Sequence, residues 1–563
     1  MATSILSIGQ SALAAAQVGL STTGHNIANA ATPGYNRQVA VQGAAQAQSY
    51  GFGFMGQGTE ISTVKRIYSE FLGAQVNTAQ STKSALDSYS TQIQRIDNML
   101  GDPTSGLSPA LQGFFSGMQE MASNPSSIPS RQAALSSAET LASRFQSMAG
   151  RLQEIEQGVN SQVTSSVSVI NSYAQQIAKL NDAISLAQGA SGKPPNDLLD
   201  QRDQLVLDLN KEIKATVVKQ SDGGYNIFIG SGQPLVVGVK TFGLTTAIAP
   251  SDPQKLEVAY QTAGGNVIVG ASSLGGGKLG GLLEFRSKTL EPAQKSLDDL
   301  AIGLAATFNA QHRLGQDLDG NLGGDFFTVT AGTGAAGFAV AIGDPRQIAA
   351  AAPIRTAVTT GNIGSGAISA GAVDASYSAS PLLAPVSLTF SAGSPDVLSG
   401  FPAGQDVTVT VNGTSTLISA GDPVPYTPGA TISFGGISFT ISGAPADTDT
   451  FTVGPNAGGV GDNRNALLLT GLQTANAMGG TTYQGAYSQL VSEIGNKSRE
   501  LQVTGTAAGL LLSEATVSLQ NESGVNLDEE ATNLLRYQQA YQAAGKVMQI
   551  ASQMFDVLLS LGR

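Results

Sequence analysis

The chain contains no cysteine, has only two histidines in 563 residues, and carries charge on just 12% of its side chains. Without cysteine there is no disulfide framework, no thiolate nucleophile and no cysteine-ligated metal site. His25 and His312 lie far apart without metal-ligand spacing, so each reads as a surface or packing residue. No Lys occurs between Lys295 and Lys497, and no Glu between Glu291 and Glu493. Residues 326–462 therefore hold only scattered Asp and two Arg, poor material for acid–base catalysis. The formal charge of −12 argues against nucleic acid, whose phosphates need Lys and Arg, and against an anionic membrane surface. No run approaches the 18 or more apolar residues of a membrane span. The opening Met1-Ala2-Thr3-Ser4-Ile5-Leu6 lacks a basic n-region and a cleavage site. The expectation is a chain that stays in the cytoplasm or leaves by a route needing no cleaved signal.

Two local patterns point toward ligand chemistry and are set aside. Gly275-Gly276-Gly277-Lys278-Leu279-Gly280 matches G-x-G-x-x-G, but no βαβ unit surrounds it, so it reads as a turn. Asp317-Leu318-Asp319-Gly320-Asn321 begins like a calcium loop. Leu322 stands where that loop needs Gly and Thr328 where it needs Glu, so a polar turn is expected. No catalytic, cofactor or metal site is assigned, and the chain is not read as an enzyme.

What remains is apolar material, 41% of the chain, arranged with clear periodicity. Leu6, Leu13, Leu20 and Ile27 recur every seven residues, with the small Gly9, Ala16, Thr23 and Ala30 three positions on. That is a heptad stripe whose second column permits close helix approach. It stops at Thr32-Pro33-Gly34. At the other end Leu527, Leu534, Tyr541, Met548 and Phe555 repeat with the same period, followed by Tyr537, Ala544, Ala551 and Leu558. Asp528, Glu529 and Glu530 open that helix at the end where its dipole favours anions. Matched stripes at opposite termini favour a coiled coil over two unrelated amphipathic helices.

Residues 68–188 read as helix interrupted near 101–109 and 124–129, with another helix over 197–209. Short strands are expected at 215–218, 225–229, 235–239, 256–260 and 267–269, then helix from 281 to 312. Alternating runs at 407–411, 431–434 and 439–441 mark the charge-poor interval as a β-sandwich or barrel-like insertion. Helices return over 466–477 and 483–518. The fold class is mainly α with a β-rich insertion: paired terminal helices, an elongated helical bundle, and an outward β module. The domains run 1–35, 36–325 (with a small β region about 215–270), 326–462, 463–523 and 524–563. Such nesting predicts a rod with both termini at one end.

The segment Asn26-Ile27-Ala28-Asn29-Ala30-Ala31-Thr32-Pro33-Gly34-Tyr35 resembles the N-terminal signature of flagellar rod, hook and hook-associated proteins. Its continuation Asn36-Arg37-Gln38 is similar to the first hook-associated protein family in particular. His25 departs from that family's usual polar residue such as Asn. Gly280-Gly281-Leu282-Leu283-Glu284-Phe285-Arg286, residues 524–531 and residues 535–543 are similar to the same family, whereas the β insertion carries no family signature. The resemblance implies an axial subunit that is exported unfolded by the flagellar type III apparatus and polymerises at the hook–filament junction in the extracellular flagellum. Implied partners are copies of itself, hook protein, a second hook-associated protein and an export chaperone on the C-terminal helix, with no nucleic acid and no membrane. The packing residues it implies are the two terminal stripes together with Asn26, Asn29, Pro33, Gly34 and Tyr35. Competing readings are another axial protein (hook protein or a flagellin-like subunit) or an extracellular adhesin acting through the β insertion. A lone stripe is poorly satisfied in a monomer, so weak hydrogen-exchange protection is expected before Thr32 and after Leu527 in free subunits.

Overall fold

The computed structural model describes residues 2–51, 53–102, 106–262 and 264–561. Its helices are α1 (Ala2–Asn29), α2 (Glu70–Leu100), α3 (Leu107–Ser123), α4 (Ile128–Ser191), α5 (Asn196–Glu212), α6 (Gly277–Phe285), α7 (Glu291–His312), α8 (Arg464–Gly471), α9 (Tyr483–Ser523) and α10 (Leu527–Leu561). The expected interruptions of the long helical stretch fall at the α2–α3 and α3–α4 junctions. The second is closed by the Asn124 amide, which donates to the Glu120 and Met121 carbonyls. The chain divides into two compact units, residues 1–94, 155–289 and 497–563 forming one and residues 95–154 and 290–496 the other.

In the first unit the second half of α4 buries Val159, Val163, Val167, Ile170, Ala174, Ile177 and Ile184, a stripe at helical spacing. Two antiparallel sheets accompany it. One joins Ala215–Lys219, Tyr225–Ile229, Gln233–Val237 and Lys240–Thr241 in sequence order; the other places Asp252–Thr262 between Leu244–Ala249 and Gly265–Ile268. Three asparagines on α4 act as brackets for these strands. Asn160 bonds the Gln254 carbonyl (2.8 Å) and the Leu256 amide (3.2 Å). Asn171 does the same at both backbone atoms of Leu244 (2.8 and 2.9 Å). Asn181 does so at Tyr225 (2.9 and 3.1 Å). Each amide side chain mimics a strand neighbour and satisfies exposed ladder groups.

The glycine run at 275–281 is a packing device. A Cβ on Gly277 (φ +64°) would lie 2.4 Å from the Ile213 amide, and one on Gly281 would lie 2.2 Å from the Ala85 carbonyl. Only glycine lets α6 approach α2 and the end of α5 this closely. A second hairpin, Gln38–Ala44 with Thr59–Arg66, packs on α1 and was not anticipated from the sequence.

The second unit holds an aromatic cluster in which Phe114, Phe308, Phe326 and Phe327 contact one another with ring centroids 4.8–6.2 Å apart. His312 lies buried beside it. Its Nδ1 donates to the Gly324 carbonyl (2.8 Å) and its Nε2 accepts from the Ala349 amide (2.9 Å). Burial pushes this imidazole down to about 4, so it is neutral and locked in one tautomer. In the polar turn after α7, Asp317 Oδ1 accepts from the Asp319 and Asn321 amides, and Asp319 pairs with Arg346.

The same unit contains a β-sandwich. One sheet has the order Ile354–Val358, Thr450–Pro455, Val386–Ser391, Val397–Ser399, Val424–Pro425. The other runs Ala367–Ile368, Ile437–Ser442, Thr431–Phe434, Val407–Val411, Thr414–Ile418, with Ala372–Val373 also pairing onto Ile437–Ser442. Alternate residues of both sheets, among them Leu388, Phe390, Phe451, Val409, Ile432, Phe439 and Ile441, form a single core.

Candidate assembly interface

The terminal stripes come together: α1 and α10 run antiparallel against each other. A Cβ on Gly19 would meet the Tyr537 ring at 2.5 Å, and one on Gly9 would meet the Met548 sulfur at 3.0 Å. The residues that face inward are the small columns. Gly9, Ala16 and Thr23 are buried on α1, and Ala544 and Ala551 on α10, with Glu530 one heptad before the half-buried Tyr537. Close approach through small residues leaves the large columns to one side. Leu6, Leu13, Leu20 and Met548 are half-buried. Ile27, Leu534, Phe555 and Tyr541 remain 36–41% exposed, and Leu527 55%. Leu535, Ile550 and Val557 are also exposed, on other faces of α10. The side chain of Leu558 lies outside the described residues.

At the base of the pair sits a polar lock around Asn26. Its Oδ1 accepts from the Tyr35 hydroxyl (2.7 Å) and the Gln38 amide (2.9 Å). Its Nδ2 donates to the Gln38 carbonyl (2.8 Å) and to Glu530 Oε1 (3.1 Å). All four hydrogen-bonding positions of the buried amide are thereby filled, and the two chain ends are joined through one side chain. Asn29 caps locally: it donates to the His25 carbonyl (3.0 Å) and accepts from the Thr32 hydroxyl (3.1 Å). Pro33 is exposed; Gly34 adopts φ +78°, where a Cβ would also strike Gln204. These two residues turn the chain so that Tyr35 points back at Asn26. Burial and the nearby Asp197 carboxylate push the Tyr35 hydroxyl well above its ordinary range, so it stays a donor.

The turn is anchored on α5. Asn36 donates to both oxygens of Asp200 from its amide (3.1 Å) and side chain (2.6 Å). Arg66 bridges Asp200 (2.8 Å) and Asp203 (2.7 Å), and Gln38 Nε2 reaches Asp197 (2.8 Å). Arg37 pairs with Glu529 (2.6 Å), and its amide donates to the Ser523 carbonyl. Asn526 caps α10 by accepting from the Asp528 and Glu529 amides (3.0 and 3.3 Å). Of the three acids at the start of α10, Glu530 therefore turns into the interface and Glu529 toward Arg37. A groove of about 590 Å³ opens beside this lock, lined by His25, Pro33, Tyr35 and Asp197 among others. Sequence reasoning missed Arg66, Asp200 and the pairing role of Glu530. Their partners lie between 134 and 504 residues away, beyond any periodic signal.

Paired helical ends with an uncovered greasy column are the feature of this fold to set beside structural proteins of the flagellar axis. Known proteins agree segment by segment. Residues 6–36 match the model for flagella basal body rod proteins, and 519–561 that for the C-terminal region of the FlgEFG rod proteins. Residues 93–327 match the helical domain of flagellar hook-associated protein FlgK, and 353–455 the D3 domain of flagellar hook-associated protein 1. The chain is 34% identical to flagellar hook-associated protein 1 of Escherichia coli over 99% of its length and all of the relative's. It is 24% identical to the Bacillus subtilis counterpart over 99% of this chain and 97% of that one. The solved flagellar hook junction protein FlgK of Burkholderia pseudomallei superposes with a TM-score of 0.74 at 34% identity, covering 79% of this chain and 99% of that one. The chain belongs to the flagellar hook-associated protein 1 family. That family is structural, and the chain is not an enzyme.

Proposed function

We propose that this subunit builds the hook–filament junction of the extracellular flagellum by polymerising through its paired end helices. The observation that supports this reading is the uncovered large column on α10: Leu527, Leu534, Tyr541 and Phe555, continued by Leu6, Leu13, Leu20 and Ile27 beside the seam. Fully burying an exposed large side chain is worth roughly 1.5–3 kcal/mol, and these residues keep about a third to a half of that still to gain, which neighbouring copies would supply. The Asn26, Asn29, Pro33, Gly34 and Tyr35 turn, with Tyr537 and Met548 in the seam, fixes the register in which the column is presented. The partners are copies of this chain, hook protein on one side and a second hook-associated protein on the other. An export chaperone covers the C-terminal helix before secretion. The domain scheme assigns residues 1–35 and 524–563 to the polymerising core and the β module to an outer position.

The test is complementation of a strain lacking the gene, viewed by electron microscopy. The null strain should show hooks without filaments and filament subunit lost to the medium. A Leu534→Ser/Tyr541→Ser chain should be secreted yet fail to restore filaments. Restored filaments would remove the end helices as the polymerising element. Hydrogen exchange on free monomer should show faster exchange in α1 and α10 than in the β-sandwich.

A further inference from the structure

The hairpin at the edge of the β-sandwich carries a chemical weak point. Val407–Val411 and Thr414–Ile418 pair antiparallel with Val411 opposite Thr414, so the connection is the two residues Asn412-Gly413. Asn412 has φ +49° and Gly413 φ +81°, the double left-handed conformation that two-residue hairpins demand and that Asn-Gly supplies at least cost. This is the one Asn-Gly step in the 563-residue sequence. Both residues are exposed, and nothing lies within 4 Å of where a Gly413 Cβ would project. Thr414–Ile418 is the last strand of its sheet, paired on one side only, and its first four residues are exposed. Opening the turn therefore disturbs one strand pair and leaves the other pairings of the sheet in place.

We propose that Asn412 is a site of spontaneous deamidation and isoaspartate formation in the folded protein. The Gly413 backbone nitrogen attacks Asn412 Cγ, the N–Cγ bond forms as the Cγ–amide bond breaks, and ammonia leaves. The resulting succinimide takes up one water molecule at either carbonyl. Opening at one carbonyl gives aspartate; opening at the other gives isoaspartate, whose backbone is longer by one methylene. With no side chain on Gly413, the nitrogen reaches Cγ unobstructed; every other asparagine precedes a residue that carries a Cβ. Aspartate retains the turn, because Asp-Gly also suits it. Isoaspartate cannot keep a two-residue connection in register, so it releases the edge strand. Either product adds a negative charge to a sandwich whose residues 354–455 hold six Asp and one Arg.

The experiment incubates purified full-length protein at mildly alkaline pH and 37 °C. Peptide mass spectrometry then maps the amide-to-acid mass change, and isoaspartyl methyltransferase labelling separates the two products. Asn412 should convert before any other asparagine, with isoaspartate among the products. Hydrogen exchange should rise over 414–418 in the aged protein and stay unchanged in a fresh Asn412→Asp variant. An intact Asn412 in protein whose other asparagines have converted would overturn the proposal. So would conversion in a denatured control alone.

Discussion

The β-sandwich and the end-helix pair solve the same problem in opposite ways. The sandwich turns Phe390, Phe434, Phe439 and Phe451 into a closed interior that needs no neighbour. The helix pair spends its seam on Gly9, Ala16, Thr23, Ala544 and Ala551 and leaves Leu534, Tyr541 and Phe555 uncovered. Small residues at a seam bring backbones close but bury little area, whereas large ones in a sandwich bury much. The lesson is that a segment's apolar content does not tell how finished it is; the placement of its large side chains does.

The comparison can be broken first at the sandwich. Phe451→Ala should cost about 3–5 kcal/mol, because it empties a fully buried site, and calorimetry should show the loss. Secretion and junction assembly should survive this change if the sandwich is self-contained. A second test uses His312, in the same unit. Its folded pKa of about 4 lies below the ordinary 6.5, so the unfolded chain takes up a proton that the folded one refuses. Stability should fall as pH drops from 6.5 toward 4, by up to about 3 kcal/mol. Urea midpoints across that window should flatten in His312→Gln, whereas exchange protection of α1 should show no matching His312-dependent step.

The helix pair should respond to smaller insults, read out by assembly. Asn26→Ala leaves the Tyr35 hydroxyl, the Gln38 backbone and Glu530 short of partners and should cost about 1–3 kcal/mol. Exchange in α1 and α10 should accelerate together. Gly19→Val forces a side chain into the Tyr537 ring and should cost about 1–3 kcal/mol by overpacking, with loss of junction incorporation. The smallest effect on the monomer sharpens the contrast most. Leu534→Ser should change its stability by no more than about 0.5 kcal/mol, since that side chain is already 36% exposed, while weakening assembly.

Helices were legible because their stripes are long. The helix breaks after Leu100 and after Ser123, the α5 start and the seven-residue columns all follow from spacing and breakers. The Val407–Val411 and Thr431–Phe434 strands were legible from their alternation. The hairpin of Gln38–Ala44 and Thr59–Arg66 was not, because Gln38–Ala44 is mostly exposed and Thr59–Arg66 buries none of its residues fully, which leaves the apolar alternation faint. Which column of each stripe faces the partner was also hidden. Period seven identifies two columns, but only the burial of Gly9, Ala16, Thr23, Ala544 and Ala551 in the folded pair assigns the small ones to the seam. The Asn26 lock was half visible. Its motif could be recognised, yet nothing in the spacing ties Asn26 to Glu530 or Asn36 to Asp200. Likewise Asn160, Asn171 and Asn181 look like polar filler on a long helix until the strands they bracket are in place.

Asn26 and Glu530 are 504 positions apart and yet share a hydrogen bond. A chain emerging end-first from a ribosome, or threaded through any narrow passage, cannot close that contact until almost its whole length is through. The sandwich core spans only about a hundred residues and can settle much earlier. Joining the two end helices is thus deferred to the final moment of maturation, and a chain cut short before Leu527 lacks α10 and never completes the clasp. The molecule carries a built-in check: only a copy that includes both α1 and α10 can form the Asn26 lock and set the column beside it.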